Sequence, residues 1–172
     1  RSYYNQEFYN SCDALFGISK QTKNINEMVL GEYGKSKIIR YIPHGLNHNI
    51  FKPIDKNNKD LQKIDDYISQ GMDKDKFTLF FNSRNIRRKA IPDTILAWKY
   101  FLDGLSKKER SKCQFVLHTN PVDEHGTDLP AVIKFLFPNK DHNIRISANK
   151  LTTEQMSLLY NVADATILLS SA

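Results

Sequence analysis

Cysteine is nearly absent from this chain: its 172 residues hold only Cys12 and Cys113. Two thiols so far apart give neither a disulfide framework nor a metal-binding spacing, and each reads as a small buried apolar residue. A reducing, cytoplasmic compartment is the simplest expectation. Long hydrophobic runs are missing too. None approaches the about 20 residues that cross a bilayer, and none has the build of a signal peptide. His44 and His48 are four residues apart, but they fall in a turn-rich stretch with Pro43 and Gly45 rather than in a helical pattern, so no histidine pair makes a zinc helix. No helix-turn-helix, RNP or zinc-finger signature is present, which weighs against nucleic-acid recognition. An initiator Met is also lacking: the chain opens inside a helical pattern, RSYYNQEFYN, and closes on Ser170-Ser171-Ala172 directly after an apolar run. Both ends read as cut.

What is there suits a packed α/β protein. Apolar residues make up 40% of the chain, with ten Phe, eight Tyr and one Trp, enough for a core and too many for disorder. Lys and Arg number 25 against 19 Asp and Glu, a net charge of +6 that favours anionic partners. Apolar runs alternate with helical patterns along the whole length. Ala14 to Ile18 predicts a strand, Ser19 to Glu32 a helix with Ser19 as N-cap and Gly34 near its stop, and Lys37 to Ile42 a second strand. Pro43 to Pro53 is turn-rich and reads as a linker. A polar surface helix over Asn57 to Gly71 precedes a second series.

That second series begins with a strand at Phe77 to Phe81. The helix Ile91 to Leu105 follows, with Pro92 in its first turn and Ile91, Ile95, Trp98, Leu102 and Leu105 on one face. Strands at Cys113 to His118, Ile144 to Ile146 and Ala165 to Leu169 alternate with helices at Leu129 to Phe137 and after Thr152. Thr152 and Gln155 there make a capping box, and Tyr160 reads as core. Such continuous apolar strands imply a parallel sheet covered on both faces.

The most informative stretch is FTLFFNSRNIRRK, Phe77 to Lys89. Its apolar run stops and four cations follow, Arg84, Arg87, Arg88 and Lys89, before a helix begins. Open parallel sheets bind ligands at the carboxyl ends of their strands. Cations there, beside a helix N-terminus, suit a phosphate or diphosphate. A solvated basic loop is the alternative.

Four segments together carry a family resemblance: CDALFGIS, YIPHGLNHNIFKP, FFNSRNIRRKAIPDTILAW and ANKLTTEQMSLLYNVADATILLSS. In this order the chain resembles the retaining nucleotide-sugar glycosyltransferases of GT-B architecture, the glycogen-synthase-like and mannosyltransferase-like group. The resemblance implies that 1–42 is the end of an acceptor domain, 43–53 the interdomain linker, and 54–172 the first part of a Rossmann-like donor domain. It also implies glycosyl transfer from a nucleotide-sugar to an acceptor of unknown kind, with retention and without a metal or other cofactor. The isolated chain would then be inactive. A protein peripheral to a membrane in its intact form is compatible with this, and a sheet edge left unpaired by truncation offers a route to homo-oligomers.

By the same resemblance Arg84 and Lys89 match the pair that contacts the donor diphosphate and takes the catalytic role, with Ala90 where relatives carry Gly. Ser83 accompanies them. Asn149, Lys150 and Leu151 align with the segment beside the nucleobase, Asn149 standing where relatives have Gly and able to keep a left-handed turn, with an ordinary strand-to-helix loop as the alternative. Ser170 and Ser171 match the loop before the family's donor-binding glutamates, which would fall past Ala172. His118 ends a strand next to the cleft, where it either lines the donor pocket or stands outside it. His44 stands where relatives carry a cleft-facing Asn, a linker histidine bonded to backbone being the favoured reading. His48, His125 and His142 read as solvent-facing, and Asp123, Glu124 and Asp128 as a solvated acidic loop. Two further functions remain open: a non-catalytic nucleotide-binding module, and a basic nucleic-acid binder.

Overall fold

The computed structural model describes residues 2–69, 72 and 75–171. It divides into two compact units, before and after the Asn47–His48 bond. In the first, a 3-10 turn at Ser2–Asn5 leads into α1 (Gln6–Asn10), β1 (Ala14–Gly17), α2 (Lys20–Leu30) and β2 (Ile38–Tyr41). β1 and β2 pair in parallel from Ala14↔Ile38 to Gly17↔Tyr41. Ser19 caps α2 as expected, its Oγ accepting the Thr22 N–H at 3.0 Å. The helix stops earlier than expected: Gly31 takes φ +51°, a conformation only glycine adopts freely, and a 3-10 turn over Gly31–Ser36 contains Gly34. Leu15, Leu30 and Ile39 form the small core of this unit.

The second unit carries α3 (Lys59–Ser69), β3 (Phe77–Asn82), α4 (Ile91–Asp103), α5 (Lys107–Arg110), β4 (Cys113–His118), α6 (Leu129–Leu136), β5 (Ile144–Ser147), α7 (Thr153–Val162) and β6 (Ala165–Thr166). Its sheet is parallel throughout, in the order β5-β4-β3-β6. Period-2 alternation sends successive side chains to opposite faces. Phe81, Phe115 and Leu117 pack with Ile91, Ile95, Trp98 and Leu102 of α4 and with Leu129 and Ile133 of α6. Phe80 and Val116 meet Ile68 of α3 and Leu159 of α7. The sheet is thus covered on both faces, and α3 is half core rather than a polar surface helix, with Leu61 and Ile68 buried. The expected end of that helix, Gly71, lies outside the described residues.

Several boundaries differ for identifiable reasons. The expected strand to Leu169 ends at Thr166, and Leu168 and Leu169 are exposed. The last bond to β3 runs from the Ile167 N–H to the Phe80 carbonyl at 2.9 Å, and the Ser171 N–H bonds instead to the Arg88 carbonyl at 2.9 Å. Part of the expected linker is fastened to α7: Ser157 Oγ donates to the Ile50 carbonyl at 2.7 Å, and Asn161 Nδ2 donates to the Lys52 carbonyl at 3.1 Å. The short helix α5, absent from the sequence reading, is set by a Ser106–Glu109 capping box.

Candidate functional site

The sheet order puts the first strand of this unit, β3, between the second and the last, so the order of strands reverses at the β3–β6 junction while all of them stay parallel. Ligands of open α/β sheets bind at such a switch point, beyond the carboxyl ends of the strands. The segment 83–90 leaves β3 there, and 167–171 leaves β6. They meet through side chains and backbone: Lys89 Nζ donates to Ser170 Oγ at 3.2 Å, and the Ser171 N–H holds the Arg88 carbonyl. Lys89, Ser170 and Ser171 are therefore neighbours although 81 positions separate Lys89 from Ser170. Ser83 lies half-buried at the exit of β3.

Ala90 ends a 3-10 turn, Arg87–Lys89, at φ 44° and ψ 42°. This is a left-handed conformation, which an alanine adopts only at a steric cost, at the position where the resemblance puts Gly. α4 then starts with Pro92 in its first turn and no side-chain cap. The N–H groups of its first turn are left for a ligand or water.

Arg84 turns toward the neighbouring loop. Its Nε donates to Asp123 Oδ2 at 3.0 Å and its Nη2 to Oδ1 at 3.3 Å. The Asp123 side chain is only 7% exposed against 59% for Arg84. Hydrogen bonding to Arg84, then the His125 N–H, holds the Asp123 carboxyl below its ordinary range, while the same pair raises Arg84. Asp123 is thus not the solvated loop residue expected, whereas Glu124 is exposed and Asp128 caps α6 through the Ala131 N–H at 3.0 Å.

Asn85 completes the joint between the two loops. It is buried, its Nδ2 donates to the Asn120 and Thr127 carbonyls at 3.1 and 2.7 Å, and its Oδ1 accepts the Thr127 N–H at 3.2 Å. Gly126 passes so close that an added Cβ would lie 2.2 Å from the Asn85 carbonyl oxygen. Neither Asn85 nor Gly126 was singled out from sequence. The available signal was topological: β3 and β4 are neighbours with Asn82 opposite His118, so the loops that follow them lie side by side.

The remaining candidates gather elsewhere in the same unit. Asn149 and Leu151 line a cavity of about 590 Å³ with Tyr67, Ser147 and Gln155, and none of its lining comes from 83–90 or 165–171. Lys150 is exposed between them. Asn149 is not left-handed; among the described residues positive φ falls on Ala90, Lys140, Asn143 and Gly31. His118 shares a 3.0 Å hydrogen bond with Ser147 Oγ beside that cavity, and burial lowers its pKa against the opposing Ser147 bond. His44 belongs to the first unit and is exposed. His142 is half-buried, not solvent-facing: its carbonyl accepts Trp98 Nε1–H at 2.8 Å and its Nδ1 accepts the Ile144 N–H at 2.9 Å. Tyr160 is 41% exposed, edge-on to Phe80 at 5.0 Å, and its hydroxyl accepts from Asn82 Nδ2 at 3.1 Å. Among the described residues no group of three or more His, Cys, Asp or Glu is placed to hold a metal, and no helix is long and apolar enough to cross a membrane.

This is the fold of GT-B glycosyltransferases, a parallel Rossmann-like sheet with a further α/β unit before it. A trehalose-6-phosphate synthase from Burkholderia multivorans superimposes with a TM-score of 0.72 at 9% identity, covering 95% of this chain and 40% of that one. A sucrose-phosphate synthase from Thermosynechococcus elongatus gives 0.61 at 17%, covering 94% and 36%. A trehalose-6-phosphate protein from E. coli, bound with UDP-2-fluoro glucose, gives 0.64 at 12%, covering 94% and 40%. The chain therefore spans about two-fifths of the length of these neighbours. No protein-family model matches it, and no curated protein does. At such identities the likeness establishes the fold.

Proposed function

We propose that the second unit is the donor-binding part of a nucleotide-sugar-dependent glycosyltransferase, with Arg84 and Lys89 at the donor diphosphate. The observation that carries this reading is the meeting of Lys89 with Ser170 and Ser171 at the switch point, with Arg84 on the adjoining loop. When the anomeric C–O bond breaks, its electron pair stays on the leaving nucleoside diphosphate. Fixed cations stabilise that growing charge more than the ground state, which is what accelerates transfer. The two side chains can do this without a metal. Asn149 and Leu151, which line the 590 Å³ cavity, and the exposed Lys150 between them are assigned to the nucleobase, with His118 bonded to Ser147 of the same lining. The acceptor hydroxyl attacks with retention in this scheme, and its identity lies with the rest of the protein.

Calorimetric titration with UDP, GDP and ADP tests the reading. UDP is the first choice, because a UDP-sugar analogue sits in one structural neighbour. Selective binding that weakens about tenfold or more in an Arg84→Ala/Lys89→Ala double variant is the expected result. Equal, salt-sensitive binding to all three and to unrelated polyanions would make the loop a basic surface and nothing more.

A further inference from the structure

Asp123 and Arg84 do not share their pair evenly. The carboxylate is the covered partner and the guanidinium the open one, at 7% and 59% exposure. Asp123 also has its own fastening, since its Oδ1 accepts the His125 N–H at 3.0 Å and its carbonyl accepts the Gly126 N–H at 2.9 Å. The His125 carbonyl in turn accepts the Arg87 N–H at 3.0 Å, so the turn that holds the carboxylate also holds the cation loop. Asn85 ties the two loops a third time. The carboxylate therefore sits on a rigid joint, not on a mobile surface loop.

The geometry of the fork matters as much. Arg84 spends Nε and one N–H of Nη2 on Asp123, which occupies one side of the planar guanidinium. Its Nη1 group and the second Nη2 proton remain as donors on the other side, in a rigid planar array suited to phosphate oxygens. A long side chain without such a brace loses rotamer freedom on binding, and pre-organisation removes that cost.

We infer that Asp123 is a positioning residue, which clamps one edge of Arg84 and so presents its free edge to a diphosphate. The inference rests on the donor-site reading of Arg84 above. It excludes the opposite role, in which the carboxylate competes with the ligand and must be displaced. Clamping predicts that removing Asp123 weakens anion binding; competition predicts that it tightens.

The test uses inorganic pyrophosphate titrated into the 172-residue chain, for the wild type and for Arg84→Ala, Asp123→Asn and the double variant. Asp123→Glu serves as the conservative control, and thermal unfolding shows whether each variant is folded. Expected losses are about tenfold for Arg84→Ala and several-fold for Asp123→Asn, on the scale of one charge-assisted hydrogen bond. The double variant should bind no worse than Arg84→Ala, because Asp123 acts only through Arg84. A folded Asp123→Glu should recover part of the loss, which a merely structural role would not produce. If Arg84→Ala weakens binding while Asp123→Asn leaves it unchanged or tightens it, the positioning role is wrong and the donor reading stands. If Arg84→Ala leaves pyrophosphate affinity unchanged, Arg84 is no diphosphate ligand and both readings fall. Should Asp123→Asn not fold, the Arg84 Nε–H resonance of the wild type decides. Slow solvent exchange that persists with pyrophosphate bound supports the clamp, and release of that proton on binding overturns it.

Discussion

Ala90 shows how one residue can carry a turn that its type disfavours. At φ 44° its Cβ crowds the following carbonyl, which costs roughly 1–2 kcal/mol for an L-residue. The turn persists because both sides are fastened: the Ala90 N–H donates to the Arg87 carbonyl at 3.1 Å, and the Ala90 carbonyl accepts both the Thr94 N–H and Thr94 Oγ1–H at 3.1 Å. Glycine would relieve the crowding but raise the entropy of the unfolded chain by about 0.4–1 kcal/mol. Ala90→Gly is expected to stabilise the protein by up to about 1 kcal/mol, read as a higher urea midpoint at constant m-value. A lower midpoint would show that the left-handed conformation is not strained. The same residue was readable from sequence only as a departure from a pattern; that alanine itself takes the glycine conformation follows from bonds made by Thr94 and Arg87. Asp123 was less legible still. An acidic residue in a polar loop ordinarily faces water, and only the adjacency of two loops covers it.

At the scale of elements, the segment before β5 is held by a histidine that must stay neutral. The Ile144 N–H points at His142 Nδ1, so protonating that nitrogen would set donor against donor. Burial lowers the pKa of His142 from 6.5, Asp141 opposes the shift and Arg145 adds to it; burial likewise lowers His118. The unfolded chain then binds these protons more tightly than the folded one, and stability rises with pH across the interval between the two pKa values. The contribution is complete above about pH 6.5 and is lost as pH falls toward the lower folded values. Denaturant midpoints measured from pH 7.5 to 5 should fall, and less steeply in His142→Asn, with His118 supplying the rest. An unchanged slope in that variant would mean that His142 does not titrate on unfolding. Elements with strong internal signals were legible in advance: β3 and β4 from their apolar runs, α7 from Thr152 and Gln155, α4 from its buried stripe. Those governed by partners were not. Leu168 and Leu169 look like strand by composition, but the ladder with β3 ends at Phe80↔Thr166 and the chain beyond Ile167 leaves the sheet, its Ser171 N–H going to the Arg88 carbonyl.

On the scale of the whole molecule, the two units have very different means of staying folded. The first buries Leu15, Leu30 and Ile39, with Tyr9 and Cys12 against them, while Phe8, Phe16 and Ile38 are exposed. A two-stranded sheet with one full helix is marginal by itself in water. The second unit has a core on each face of a four-stranded sheet, including Trp98 between Phe101 and Phe115 at ring distances of 5.3 and 5.4 Å. Among the described residues each unit has buried clusters of its own. Stability should therefore be distributed unevenly, with local opening in the first unit well below the free energy of global unfolding. In native-state hydrogen exchange, amides of β1, α2 and β2 should exchange early and show little dependence on denaturant. Those of β3 and β4 should exchange only with full unfolding. A chain of residues 48–172 should retain a single cooperative transition and keep its pyrophosphate affinity, since Arg84, Lys89, Asp123 and Ser170 all lie within it. Loss of that transition on truncation would show that the small unit, despite its thin core, is needed to complete the larger one.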